Sequence, residues 1–347
     1  MGRRVSRPRR VFVNEAFRPQ RVSGQQRYAT EISDRLPREY VRLSPEGFWA
    51  RGKIQTWLWV QTVLPLRSWR GVLVSMTARA PIWHPRHVVV IHDLFVLEHP
   101  EWFSRSYYLT HSPLQRFQMA TARALVAVSE PVAAQIRSRR RSARVEVAPN
   151  APSAVFAENS DEDAGYLAEQ GLTAGSFLVT VGSLEPRKNL ARLSHAYARL
   201  PLEVRERLPL LIVGAGADVF ARSDVEWSEG IRLTGYVSDP QLRALYGGAK
   251  AVVFVSLAEG FGLPLVEAVA SGTKSLLVSD RPVFRWICAD SALYVDPLDV
   301  QSIALGLEAV ADGETAGSAP DIDRFSWETS SRAVASVADD AAGQRSS

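Results

Sequence analysis

Short, wholly apolar runs alternate along this chain with longer stretches of helical periodicity. In the first half, Val11-Phe12-Val13, Val88-Val89-Val90-Ile91 and Leu125-Val126-Ala127-Val128 are rich in β-branched residues and of strand length, the pattern of parallel strands buried on both faces. A polar, glycine-bearing loop, residues 18–25, leads from the first run into a helix through Tyr28, Ile32 and Leu36. Residues 107–123 read as helix, and another starts at Pro131, proline being favoured at a first helical position. In the second half, strands are expected at 177–181, 210–213, 231–233, 251–255, 275–278 and near Tyr294. Helices are expected at 190–200, 241–246, 263–271 and 300–310. Strand followed by helix, many times over, predicts an α/β fold with parallel sheets covered on both faces. The 347 residues suit two such domains. Residues 151–175 lack periodicity, and the linker is placed at 156–175. The expected division is a basic extension (1–10), a first Rossmann-like domain (11–155), the linker, a second Rossmann-like domain (176–324) and a final segment (325–347).

Composition narrows the class. Hydrophobic residues make up 46% and charged residues 22%, a globular balance. No apolar run approaches the roughly 20 residues that span a bilayer. The stretch Val11-Phe12-Val13 after the basic start is too short for a signal peptide, and a cytoplasmic chain is expected, working at the inner face of the membrane. The lone Cys288 excludes an internal disulfide. The net charge of +4 conceals an asymmetry: residues 1–150 carry 25 Lys+Arg and 10 Asp+Glu, whereas residues 151–347 carry 16 and 27. A basic half suits an anionic partner such as a membrane surface with a lipid-linked acceptor, or a solvated arginine-rich surface. No nucleic-acid-binding signature accompanies the charge, so no nucleic-acid partner is expected.

Ligands of open parallel sheets bind beyond the carboxyl ends of the strands, which points to the turns at Gly182, Gly214, Gly235, Ser256 and Gly272. Glu259-Gly260-Phe261-Gly262-Leu263-Pro264-Leu265-Val266-Glu267 follows one strand and opens a helix. Its glycines let the backbone approach a ligand, its helix start offers free N–H groups to a phosphate, and its two carboxylates can accept from sugar hydroxyls. Gly182-Ser183-Leu184-Glu185-Pro186-Arg187-Lys188-Asn189 follows another strand and places two cations to neutralise a diphosphate.

Together these segments resemble glycosyltransferase family 4, the retaining GT-B enzymes, and among them its mannosyl- and rhamnosyl-transferase-like members. Five segments carry the resemblance in order: residues 181–190, Leu211-Ile212-Val213-Gly214-Ala215-Gly216, Leu233-Thr234-Gly235-Tyr236-Val237-Ser238-Asp239, Leu245-Tyr246, and the family's E-x7-E loop from Glu259 to Glu267. The first half matches more loosely through Ser23-Gly24-Gln25-Gln26-Arg27-Tyr28, Ile91-His92-Asp93-Leu94, Ser129-Glu130 and Pro149-Asn150. The resemblance implies two Rossmann-like domains facing across a cleft, with a final helix, starting near Phe325-Ser326-Trp327, that crosses back to the first domain. It also implies a nucleotide-sugar donor (a UDP-, GDP- or dTDP-sugar), a glycan or lipid-linked acceptor, no cofactor and no metal. Implied as catalytic are His92, Glu259, Lys188 and Arg187. Glu259 would hold the donor sugar with the backbone of Phe261, Gly262 and Leu263, Glu267 the ribose, and Arg187 with Lys188 the diphosphate. Tyr236 and Val237 would border the base, and Gly24, Gly182, Ser183, Gly214 and Gly235 complete the donor site. Ser183 departs from the family, which often has Arg there.

Other signals weigh less. Asp161-Glu162-Asp163 and Asp321-Ile322-Asp323 read D-x-D but lie in polar connecting segments, and solvated loops are expected. Gly214-Ala215-Gly216 lacks the third glycine of a dinucleotide fingerprint, position 219 being Val. The histidines lack metal spacing. The run Arg137, Arg139, Arg140, Arg141, Arg144 reads as a solvated helix end or, less simply, a membrane contact. Trp49, Trp57, Trp59 and Trp69 suit either a core or an acceptor groove. An epimerase-like enzyme of the same fold, a non-catalytic sugar-nucleotide-binding protein and a dinucleotide oxidoreductase are the rival readings.

Overall fold

The computed structural model describes residues 9–20, 23–158, 160–214 and 225–343. The expected Ala215-Gly216 turn, Val219 and the first arginines of the chain lie outside them. Two compact units emerge: Met1–Asn150 with Phe325–Ser347, and Ala151–Arg324.

The first unit is built on a six-stranded parallel sheet ordered β2-β1-β3-β4-β5-β6. Its strands are β1 Val11–Asn14, β2 Val41–Leu43, β3 Val72–Ser75, β4 His87–Ile91, β5 Ala124–Ala127 and β6 Val145–Val147. β3, β4 and β5 are buried at every position, as central parallel strands between helical layers must be. The last helix, Trp327–Ala342, belongs to this unit, as the resemblance implies. It is capped by Ser326 and tied down by Tyr40 Oη to Asp339 Oδ1 (2.7 Å), Ser330 Oγ to the Pro149 carbonyl (2.7 Å) and Arg144 to Asp340 (2.5 Å).

The second unit carries β7 Leu178–Gly182, β8 Leu210–Gly214, β9 Ile231–Gly235, β10 Ala251–Phe254, β11 Leu276–Ser279 and β12 Leu293–Val295. They are parallel, in the order β12-β11-β10-β7-β8-β9. The chain starts at β7, runs outward through β8 and β9, then returns to β10 on the other side of β7. The order therefore reverses between β7 and β10, the place where open parallel sheets bind their ligands. The core beneath packs Leu193, Tyr197, Ile212, Val253, Leu277 and Leu307, all fully buried.

The expected linker is corrected. Residues 154–157 form a 3₁₀ turn and Glu162–Glu169 an α-helix. That helix is fixed to the helix Asp239–Gly248 by buried Arg243, whose guanidinium grips both Asp163 oxygens at 2.7 and 3.0 Å. The Asp161–Asp163 triplet is thus the start of a packed helix, with Asp163 committed to an arginine. Asp321 and Asp323 lie in a turn, Asp323 N–H donating to Asp321 Oδ1.

Candidate donor-binding site

The turn after β7 is set by its own sequence. Pro186 opens the 3₁₀ turn Pro186–Lys188, and Asn189 ends it in the left-handed region at φ 60°, a conformation asparagine tolerates better than most residues. Buried Asn189 donates from Nδ2 to the carbonyls of Val255 (3.0 Å) and Pro297 (2.7 Å). Leu257 N–H donates to the Arg187 carbonyl at 2.7 Å. The loops leaving β7 and β10 are thereby stapled together at the switch point.

On that frame Lys188 Nζ lies 2.7 Å from Glu259 Oε1, and Arg187 Nη1 lies 2.7 Å from Glu259 Oε2. Each carboxylate oxygen takes one cation. The Lys188 and Glu259 side chains are largely covered, with 10% and 9% of their surface exposed, and the ammonium sits 5.0 Å over the Phe254 ring at the end of β10. Burial works to raise the Glu259 carboxyl, but Lys188 and Arg187 outweigh it and hold it below its ordinary value. Arg187 is held from the other side too: its Nε donates to Glu185 Oε2 at 2.6 Å, and Ser183 Oγ donates to Glu185 Oε1 at 2.7 Å. Ser183, which stands where the family often has a cation, is the first link of a chain Ser183–Glu185–Arg187–Glu259. Sequence reasoning passed over Glu185 and Asn189; the signal for Asn189 was its place between a turn and a helix start, for Glu185 its spacing of two from Arg187.

The backbone around this cluster is close-set. Gly214 (φ 148°) ends β8 beside Gly182, and a Cβ there would meet the Gly182 carbonyl oxygen at 2.3 Å. Gly262 (φ 103°) is the residue before the helix Leu263–Ala270, whose second residue is Pro264. Phe261 is buried against Trp286, and Glu267 lies buried about one turn along that helix. Gly235 (φ 71°) ends β9, and Tyr236 after it is exposed. Glu259, Lys188 and Arg187 are therefore brought together in one hydrogen-bonded cluster; Gly182, Ser183, Gly214, Gly235, Tyr236 and Val237 sit at or just beyond strand ends of the same sheet, while Phe261, Gly262, Leu263 and Glu267 lie further along, before and within the helix Leu263–Ala270.

His92 and Gly24 belong to the first unit. Gly24 opens the helix Gly24–Arg35 in the unit's first β-to-α connection. His92 follows β4; its Nε2–H donates to the Met76 carbonyl at 2.8 Å, and its ring packs edge-on against Tyr28 at 5.1 Å. Burial lowers its pKa to about 4, so the imidazole is neutral at physiological pH, with Nδ1 as the acceptor.

Two parallel six-stranded Rossmann-like units, the second holding an acid-and-cation cluster at its switch point, define a GT-B-type α/β protein. Solved structures agree over nearly the whole chain: WaaG, a glycosyltransferase involved in lipopolysaccharide biosynthesis, superposes with a TM-score of 0.65 at 16% identity, covering 96% of this chain and 98% of its own. Anabaena HepE in complex with UDP and glucose gives 0.62 at 15%, covering 97% and 95%. Residues 169–321 match the glycosyl transferases group 1 model, so that segment, within the second unit, is a domain of that family. Among curated relatives, the O-antigen chain mannosyltransferase B of Escherichia coli is 36% identical over 166 residues, 44% of this chain and 42% of its own. The serotype-specific mannosyltransferase WbdA of Escherichia coli is 31% identical over 261 residues, 70% and 31%. The chain spans less than half the length of these relatives.

Proposed function

We propose that this chain is a retaining glycosyltransferase that moves a sugar, mannose being the first candidate, from a nucleotide-diphosphate donor to an acceptor hydroxyl. The acceptor is a cell-envelope glycan or a lipid-linked precursor of one, met at the inner face of the membrane. The observation that carries the reading is Glu259 held between Lys188 and Arg187 at the switch point. A donor brings what each partner needs in exchange: its diphosphate charges replace the carboxylate for the two cations, and its sugar hydroxyls donate to Glu259. The cations then neutralise the charge that grows on the leaving diphosphate. As the bond from the anomeric carbon to the phosphate oxygen breaks, the acceptor oxygen bonds to the same face, and its proton passes to the departing phosphate oxygen. Positioning and charge neutralisation suffice for this, with no protein nucleophile and no metal. The mannosyltransferase relatives and the UDP complex of HepE favour this reading over an epimerase or a binding protein. Among the described residues no helix is long and apolar enough to cross a membrane.

The test is transfer from a panel of UDP-, GDP- and dTDP-sugars to short lipid-linked glycans, with the product's anomeric configuration read by NMR. Retained configuration and insensitivity to EDTA are expected. Inverted product, or a donor epimerised without an acceptor, overturns the assignment.

A further inference from the structure

Residues 47–92 contain no Asp or Glu and six Lys or Arg. The same stretch supplies eight of the fifteen large apolar side chains that stand exposed on the described protein, a concentration that scattered surface apolarity does not produce. The helix Lys53–Gln61 shows how. Thr56, Trp59 and Val60 face the core, while Ile54, Trp57 and Leu58 stand outward at i, i+3 and i+4, with Ile54 73% and Trp57 54% exposed. It is apolar on both faces, and only the inner one is covered.

The rest of the surface is held rigidly beside it. Leu66, 74% exposed, follows on the next helix, Val63–Ser68. Trp69 meets Trp83 edge-on at 5.5 Å, and Arg86 donates from Nη2 to the Trp69 carbonyl at 2.6 Å. Ile82 N–H donates to Gln61 Oε1 at 2.8 Å, fixing the Ile82-Trp83 loop against the end of the helix. Arg9, Arg10, Arg67 and Arg70 line an open basin of about 840 Å³ together with Leu66 and Trp69. Among the described residues Arg51, Lys53, Arg67 and Arg70 make no ion pair. The arginine run at 137–144, by contrast, is largely answered within the protein: Arg137 by Glu130, Arg139 by Glu98 and Arg144 by Asp340.

We infer that this face docks on an anionic phospholipid bilayer, with Ile54, Trp57, Leu58 and Leu66 entering the headgroup boundary and Arg67 and Arg70 meeting lipid phosphates. Tryptophan favours that boundary, being apolar with one donor. Arginine beside it supplies attraction that neutral lipid cannot return. A protein partner would offer carboxylates to the same arginines, but residues 47–92 carry no acid to order such a partner's own cations. The inference deepens the proposed function by naming the surface that faces the membrane. It is tested without any sugar transfer, so the two can fail separately.

The experiment is co-sedimentation of the full chain with vesicles of phosphatidylcholine alone and of phosphatidylcholine with phosphatidylglycerol, at low and high salt. Binding to the anionic vesicles only, weakened by salt and accompanied by a blue shift in tryptophan emission, is expected. The pair Trp57→Ser with Leu66→Ser should weaken binding at least tenfold with an unchanged melting temperature, as should Arg67→Gln with Arg70→Gln. Arg137→Gln with Arg139→Gln should bind as wild type. Equal binding to both vesicle types, loss only in the Arg137 and Arg139 variant, or displacement by millimolar glycerol phosphate overturns the inference. So does self-association in solution that the Trp57 and Leu66 pair abolishes, which would assign the face to a second copy of the chain.

Discussion

Lys188 and Glu259, 71 positions apart, meet at 2.7 Å in a largely covered cluster that Arg187 completes. On the proposed function, the Glu259 carboxylate and a donor diphosphate compete for the same two cations. Glu259→Gln should therefore separate two quantities that usually fall together. Affinity for a free nucleoside diphosphate should rise severalfold, because both cations are released. Transfer should fall by about a hundredfold or more, the scale of removing a group that acts on the reacting sugar. Titration calorimetry and initial rates on one preparation decide it. A variant that loses nucleotide affinity and rate in parallel would show that Glu259 merely holds the fold.

The chain Ser183–Glu185–Arg187 holds Arg187 against Glu259, where the proposed function uses it as the second cation. Arg187→Ala should raise the donor KM and lower kcat. Glu185→Gln, which only loosens the guanidinium, should cost about tenfold in kcat/KM. Adding Ser183→Arg to Arg187→Ala restores a cation at the position where the family often carries one, and should recover part of the lost rate. No recovery with an intact fold would mean that a guanidinium from position 183 cannot reach the diphosphate.

Two glycines of the donor sheet separate backbone strain from crowding. At Gly235 (φ 71°) an added Cβ meets nothing within 4 Å, so Gly235→Ala should cost only the left-handed conformation, about 1 kcal/mol. At Gly214 the same Cβ would overlap the Gly182 carbonyl at 2.3 Å, so strands β7 and β8 must part, and Gly214→Ala should cost at least about 2 kcal/mol more. Urea unfolding of the two variants gives the comparison, and equal losses would contradict the close approach.

His87 is 2% exposed, with Nε2 2.9 Å from Ser75 Oγ, and burial lowers its pKa to about 3 from an ordinary 6.5. Its folded-state value lies below the unfolded one, so the unfolded chain takes up the proton first. The stability it secures is complete above pH 6.5 and drains away as pH falls towards 3, by about 1.4 kcal/mol per unit. His92, lowered to about 4, adds a loss of the same sign. Unfolding free energies at pH 7, 6 and 5 should decline more gently in His87→Gln than in wild type, and identical slopes would refute the buried neutral state.

The second unit was the more legible in sequence because most of its strands are short apolar runs and β7, β8 and β9 close on a glycine, so strand ends and candidate ligand turns coincide there. The helix Lys53–Gln61 went unread because Ile54, Trp57 and Leu58 on the outside and Trp59 and Val60 on the inside erase the 3.6-residue period. β3, just four residues in that same acid-free stretch, went with it. The supposed linker hid a helix whose order comes from Arg243 reaching back 80 residues to Asp163, a contact no local pattern announces. In the site, residue types and strand ends could be read, but the direct pairing of Glu259 with Lys188 and Arg187 could not, because adjacency of β7 and β10 is a property of the sheet order.

The central claim is that the Glu259 cluster grips an activated sugar. Thermal shift of wild type and Glu259→Gln against UDP-, GDP- and dTDP-sugars and the matching free diphosphates tests it most directly. A ligand at a hundred times its Kd stabilises the native state by about 2.7 kcal/mol. Wild type should be stabilised more by at least one nucleotide sugar than by its free diphosphate, and Glu259→Gln should lose or reverse that preference. No stabilisation of wild type by any of them at millimolar concentration, or a preference for the sugar that survives the substitution unchanged, would contradict the account.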